Sequence, residues 1–191
     1  MKKIVFISGM GGGKRDMFMM KHVLKDFDIK YFNYDTKYTE TVEQSANKLK
    51  KFIGELEIKQ NEKISIIGLS GGGIIADYYL KFIDDRKVDK VVTICSPFKG
   101  SWLHLIFSKK RKGLQEIQKE SNLIKKLNAK KLEDTKSLNF WCWFDPLVPG
   151  TSAKGTKPKH TLFFIHWIIQ FWLPLIYKTK RFLDKDNQKI I

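Results

Sequence analysis

A chain of 191 residues with 42% hydrophobic content can bury one compact core, and it has no linker, repeat or low-complexity tract, so a single domain over residues 1–191 is expected. The balance of 36 Lys/Arg against 20 Asp/Glu gives a formal charge of +16. That charge excludes a neutral or acidic surface and favours polyanionic partners such as nucleic acid or anionic phospholipid headgroups.

The opening residues, MKKIVFISGMGGGK, have lysines and an apolar run. The run is far shorter than the roughly 7–15 residues of a secretory leader, and no small-residue cleavage site follows, so it reads as a first strand over Lys3–Ser8. Helical spacing of Met17, Met20, Val23, Leu24 and Phe27 predicts a helix over Lys14–Phe27. Ile29–Tyr34 resembles a second strand. Val42, Ala46, Leu49, Phe52, Ile53 and Leu56 predict an amphipathic helix over Glu40–Leu56. A strand over Lys63–Gly68, a helix over Gly71–Ile83 and a strand over Lys90–Cys95 follow. One helical pattern spans Gly113–Leu127, and Ser137–Phe144 is an aromatic-rich strand. Cys95 and Cys142 both lie in apolar strand-like contexts, so buried thiols are expected rather than a disulfide.

Strands alternating with helices at this spacing indicate βαβ units, a parallel sheet and right-handed crossovers. Functional groups then lie beyond the carboxyl ends of the strands. That rule points to Gly9–Gly13, Ser70, Ser96–Ser101 and Asp145, all in loops that follow a strand.

Gly68-Leu69-Ser70-Gly71-Gly72 fits G-x-S-x-G between a strand and a helix, where a sharp turn exposes the serine hydroxyl and glycines permit the close helix–strand approach. A serine nucleophile needs a base, and the base needs an orienting acid. Asp145 ends the aromatic strand, in FDPLVPG, and the histidines that follow it are His160 and His166. A tetrahedral intermediate needs two backbone donors. Gly71, directly after the serine, and Met10, in the glycine loop after the first strand, are the candidates.

Four segments in order, SGMGGG at 8–13, GLSGGG at 68–73, VVTICSPFKGSW at 91–102 and FDPLVPG at 144–150, resemble the compact lipase/esterase-type α/β-hydrolases that lack a large cap. The resemblance implies an α/β-hydrolase fold, a Ser-His-Asp triad, ester or lipid substrates and no cofactor or metal. It departs from the family at Ser8, where His-Gly usually ends the oxyanion strand, and at Leu69, where a histidine often precedes the nucleophile. In the family the catalytic histidine leads through apolar residues into the last helix, which His160-Thr161-Leu162-Phe163-Phe164 fits. His160 is therefore the expected base; the alternative makes Thr161–Ile165 the last strand and His166 the base.

GMGGGK does not complete a phosphate loop, because G-x-x-x-x-G-K-[ST] would put Ser8 first and Arg15 last. Asp84-Asp85 lacks the further ligands a metal needs. Residues 99–136 hold 11 Lys/Arg against 4 Asp/Glu, a local +7, beside the apolar run Trp102, Leu103, Leu105, Ile106 and Phe107. Trp102, Leu103 and Phe107 are therefore candidates for a substrate mouth in contact with an anionic membrane. The lysines form no readable nucleic-acid module, so nucleic acid is not expected as a partner. Thr161–Tyr177 is nearly all apolar but short and interrupted by Pro174, which suits a buried or membrane-docked final helix better than a span. A cytoplasmic protein, peripheral to the membrane, is expected. The alternatives to ester hydrolysis are acyl transfer by the same triad and an inert α/β-hydrolase-fold module that binds a membrane or partner.

Overall fold

The computed structural model describes residues 1–102, 110–132, 135–142, 145, 148, 158–162 and 173–184. Six parallel strands form one sheet: β1 (Lys3–Ile7), β2 (Asp28–Tyr31), β3 (Ile64–Leu69), β4 (Val88–Ile94), β5 (Lys136–Cys142) and β6 (Pro158–Leu162), in the order β2-β1-β3-β4-β5-β6. A sheet covered by helices on both faces buries both sides of its strands, which is why β1, β3 and β4 carry the apolar runs IVFI, IIGL and VVTI rather than a strict alternation. Ile4, Val5, Phe6 and Ile7 are all fully buried.

Helices α2 (Val42–Glu55), α3 (Gly71–Phe82), α4 (Lys112–Glu116) and α5 (Asn122–Ala129) cover one face of the sheet. α1 (Phe18–Val23) and α6 (Leu173–Asp184) cover the other. α2 begins at a capping box of Thr41 and Gln44: the Gln44 N–H donates to Thr41 Oγ1 at 3.1 Å, and the Thr41 N–H to Gln44 Oε1 at 3.0 Å. Its buried stripe is Val42, Ser45, Ala46, Leu49 and Ile53.

The single helix expected over Gly113–Leu127 is two. Glu120 takes a left-handed conformation (φ 63°), and Ser121 starts α5 by accepting the Ile124 N–H on its Oγ at 3.2 Å. The helix expected over Lys14–Phe27 begins as a 3₁₀ turn at Lys14–Met17 and ends at Val23. The apolar tail also resolves differently. Pro158–Leu162 is the edge strand β6, and α6 is amphipathic, burying Leu175, Ile176, Thr179 and Leu183 while leaving Leu173 and Tyr177 exposed. Residues 163–172 lie outside the described residues. Among the described residues no helix is long and apolar enough to cross a membrane.

Lys90, only 2% exposed, donates from Nζ to the Leu183 carbonyl at 2.9 Å, a cation at the carbonyl end of a helix. Lys90 lies near the amino end of β4, so α6 finishes at the amino edge of the sheet and starts towards the carboxyl edge.

The chain runs from β1 outward to β2, then returns to place β3 on β1's other side. The crevice between the loops after β1 and β3 is the switch point where ligands bind in open parallel sheets.

Candidate active site

Ser70 sits in that crevice, between the last residue of β3 and the first of α3. Its φ of 52° and ψ of −126° lie in a region that residues with a Cβ rarely occupy. The Ser70 N–H donates to the Ile94 carbonyl at 2.7 Å, and its carbonyl accepts the Gly73 N–H at 3.0 Å. The strain is held by packing on every side. A Cβ at Gly72 would run into the carbonyl oxygens of Ile7 and Ser8, one at Gly71 would land on the Tyr38 hydroxyl, and Gly68 lies against the Gly73 backbone. A bulkier residue at either end of the elbow would push helix and strand apart.

The loop after β1 abuts the nucleophile. A Cβ built on Gly9 would stand 2.9 Å from Ser70 Cβ and 3.5 Å from its Oγ. A tight turn carries Met10, with the Gly12 N–H donating to the Gly9 carbonyl at 3.1 Å, and the Gly11 N–H ties the turn to the Thr36 carbonyl at 3.0 Å. Among the described residues neither the Met10 nor the Gly71 N–H donates to a protein acceptor. The Met10 side chain packs on the α2/α3 side of the core, and an Arg111 N–H donates to its sulfur at 3.5 Å. Ser8 is fully buried, bonded through Oγ to the Tyr31 hydroxyl at 3.0 Å. Leu69 joins the core on the α1/α6 side.

Asp145, three residues beyond β5, is 8% exposed, and its Oδ1 accepts the Val148 N–H at 2.9 Å. His160 lies inside β6, paired in register with Phe140, rather than in the lead-in to a final helix. Rows of register partners join Leu69, Ile94, Phe140 and His160 across four strands. His166, Leu103 and Phe107 fall outside the described residues. Trp102 follows β4 and is 54% exposed. Cys95 is fully buried. Asp84 is engaged by Arg86, whose Nε donates to it at 3.0 Å, and among the described residues no group of His, Cys, Asp and Glu could hold a metal.

Two residues near the elbow have no sequence motif to announce them. Tyr38 and Tyr34, in the loop after β2, share a hydrogen bond between hydroxyls at 3.0 Å, and Tyr34 donates to the Ser8 carbonyl at 2.7 Å. Burial pushes both phenols above their ordinary range, so both stay protonated and able to donate. The signal in the sequence was Asp35, a turn-forming residue shortly before Tyr38.

The sequence matches no family model and no curated protein. Solved structures match it in shape. The lin2722 gene product of Listeria innocua superposes with a TM-score of 0.73 at 18% identity, covering 98% of this chain and 96% of that one. The mature lipase BlEst2 of Bacillus licheniformis gives 0.69 at 17% identity, over 94% and 91%. Phospholipase PlaB of Legionella pneumophila gives 0.65 at 12% identity, covering 74% of this chain, which spans only 39% of that larger protein.

The fold is that of the lipase/esterase-like α/β-hydrolases.

Within this fold the parallel sheet and the strained serine after β3 agree with the strand–turn–helix reading of GLSGGG at 68–73; most of FDPLVPG at 144–150 lies outside the described residues. Helices pack on both faces of the sheet, and among the described residues no large cap covers its carboxyl edge.

Proposed function

We propose that this chain is a serine hydrolase of carboxylic esters. The observation that carries the reading is Ser70 itself: a non-glycine residue in a costly conformation, beside two backbone donors with no protein acceptor among the described residues. Strain of this kind persists only where the surroundings enforce it.

Ser70 Oγ attacks the acyl carbonyl while a histidine removes its proton, and the carbonyl electron pair moves onto oxygen. The Met10 and Gly71 N–H groups stabilise that oxyanion. The histidine then protonates the departing alkoxide, leaving an acyl-enzyme that water cleaves by the same route in reverse. Asp145 holds the imidazole in the productive tautomer and stabilises its cation. His166 serves better than His160 as the base. Acid and nucleophile both come from loops beyond strand ends, and His166 follows β6 by four residues, whereas His160 is held in the sheet beside Phe140.

The substrate is lipid-like, met at an anionic surface. Phe18, Trp102, Leu173 and Tyr177 are exposed large hydrophobic residues at the starts of α1 and α6 or just after β4, on the carboxyl side of the sheet. Lys14, Arg15, Lys21 and Lys178 accompany them. Apolar residues ringed by cations suit an interface of acyl chains and phosphates.

The test is covalent labelling. A fluorophosphonate should modify the wild type and leave Ser70→Ala untouched. Equal labelling of both, or none of the wild type, would sink the reading.

A further inference from the structure

Tyr38 takes no part in the triad, yet its hydroxyl occupies the place where the first side-chain atom of residue 71 would stand. The residue is 3% exposed and has a left-handed backbone (φ 59°), a second costly conformation close to the elbow. The Asp35 carboxylate enforces it. That group accepts the N–H groups of Lys37 (3.1 Å), Thr39 (2.6 Å) and Glu40 (3.2 Å), and the Thr39 hydroxyl at 2.5 Å. The Tyr38 carbonyl in turn accepts the Gly113 N–H at 3.1 Å, which fixes the loop to the start of α4.

The direction of the hydroxyl bonds follows from counting protons. Tyr34 has one, and it goes to the Ser8 carbonyl. The bond between the two hydroxyls must therefore be donated by Tyr38. A chain of donors runs from the phenol pressed on Gly71, through Tyr34, to the carbonyl of Ser8. Gly71 directly follows the nucleophile, and Ser8 stands two residues before Met10. The relay thus joins the segments that carry the two candidate oxyanion donors, Gly71 and Met10.

We infer that Tyr38 is a positioning residue for the oxyanion hole: with Tyr34 it sets the spacing between the Gly71 and Met10 donors. The inference rests on the reading of Ser70 as nucleophile. Donors aimed at a developing charge lose their effect steeply with small displacements. A buried tyrosine that served packing alone would have no such link to the reaction.

The experiment uses the full chain with Tyr38→Phe, Tyr34→Phe and the double variant. Each is assayed for kcat and KM on a p-nitrophenyl ester, for fluorophosphonate labelling, and for inhibition by a trifluoromethyl ketone. The ketone adds the serine oxygen to its carbonyl and leaves the electron pair as an oxyanion, so its affinity reports the hole while KM does not. Each single variant should lower kcat and ketone affinity together by about tenfold, with KM within about twofold, and the double variant should be no worse than either. Wild-type kcat and ketone affinity in a folded single variant would overturn the inference. So would a fall in kcat with ketone affinity unmoved, or failure of both single variants to fold, since the pair would then be a core strut only. Failure of the wild type itself to label is a separate result; it removes the hydrolase reading and this inference with it.

Discussion

The N–H of Ser70 donates to the carbonyl of Ile94 at 2.7 Å, and the next residue along that strand, Cys95, repeats the device by donating to Phe140 at 2.8 Å. Both donors have left-handed backbones, with φ of 52° and 49°. Strands β3 and β4 thus each run into a residue of positive φ stitched to the neighbouring strand, and the first of these is the proposed nucleophile. For Ser70 this conformation stores strain. Ser70→Gly should abolish labelling while raising stability by about 1 kcal/mol, because glycine reaches these angles freely. Ser70→Ala retains the Cβ and should leave the melting temperature near the wild-type value. Thermal melts of the three proteins check both points.

Two glycine-to-alanine changes should move stability in opposite directions. Gly72→Ala drives a methyl into the Ile7 and Ser8 carbonyls and should cost about 3 kcal/mol. Gly54 is exposed inside α2, and a Cβ there would meet nothing within 4 Å. Gly54→Ala should therefore stabilise by about 0.5–1 kcal/mol, read from denaturant midpoints at constant slope.

Acid should loosen the loop that carries Tyr38. Burial alone would raise the Asp35 carboxyl, but hydrogen bonds from Thr39, Glu40 and Lys37 outweigh it and hold the group below its ordinary value. A depressed carboxyl contributes stability that is complete above its unfolded value, near pH 4, and is lost as pH falls through the folded one. Asp35→Asn should cost about 1 kcal/mol at pH 7, and its deficit against wild type should shrink towards pH 3.

The two histidines should separate in kinetics. His166→Ala should reduce kcat by about a thousandfold or more, whereas His160→Ala should lose much less, with its deficit appearing in stability. A larger kcat loss at position 160 would reverse the assignment.

Vesicle sedimentation should find the chain bound to anionic liposomes at low salt and released by about 0.5 M salt, where screening is nearly complete. Phe18→Ala should weaken that binding while leaving hydrolysis of a soluble short-chain ester unchanged, and Trp102→Ala should weaken it too. Equal binding to neutral vesicles would exclude the proposed electrostatic docking.

The parallel sheet was legible because its central strands are rich in Val and Ile, and the elbow because three glycines directly follow one serine. The site's outer parts were less so. Pro158–Leu162 is short, begins with proline and pairs only along one edge with β5, so its composition does not distinguish a strand from a helix entry. The break between α4 and α5 depends on Glu120 adopting a left-handed conformation that its residue type does not announce. The link of Tyr38 and Tyr34 to Gly71 and Ser8 joins residues 26 to 33 positions apart through single hydroxyls, with no periodicity to betray it.

The strand order has a consequence for synthesis. After β3 the sheet grows along one edge only, through β4, β5 and β6. As the chain leaves the ribosome, β1, β2, β3 and β4 can pair and close the strained elbow, which needs the Ile94 carbonyl, while the second half is still being made. The proposed acid and base arrive afterwards, in the segments that follow the last two strands to be laid down. On the proposed mechanism the nascent protein would therefore carry a formed nucleophile elbow without the means to activate it, and competence would come only when the final edge docks.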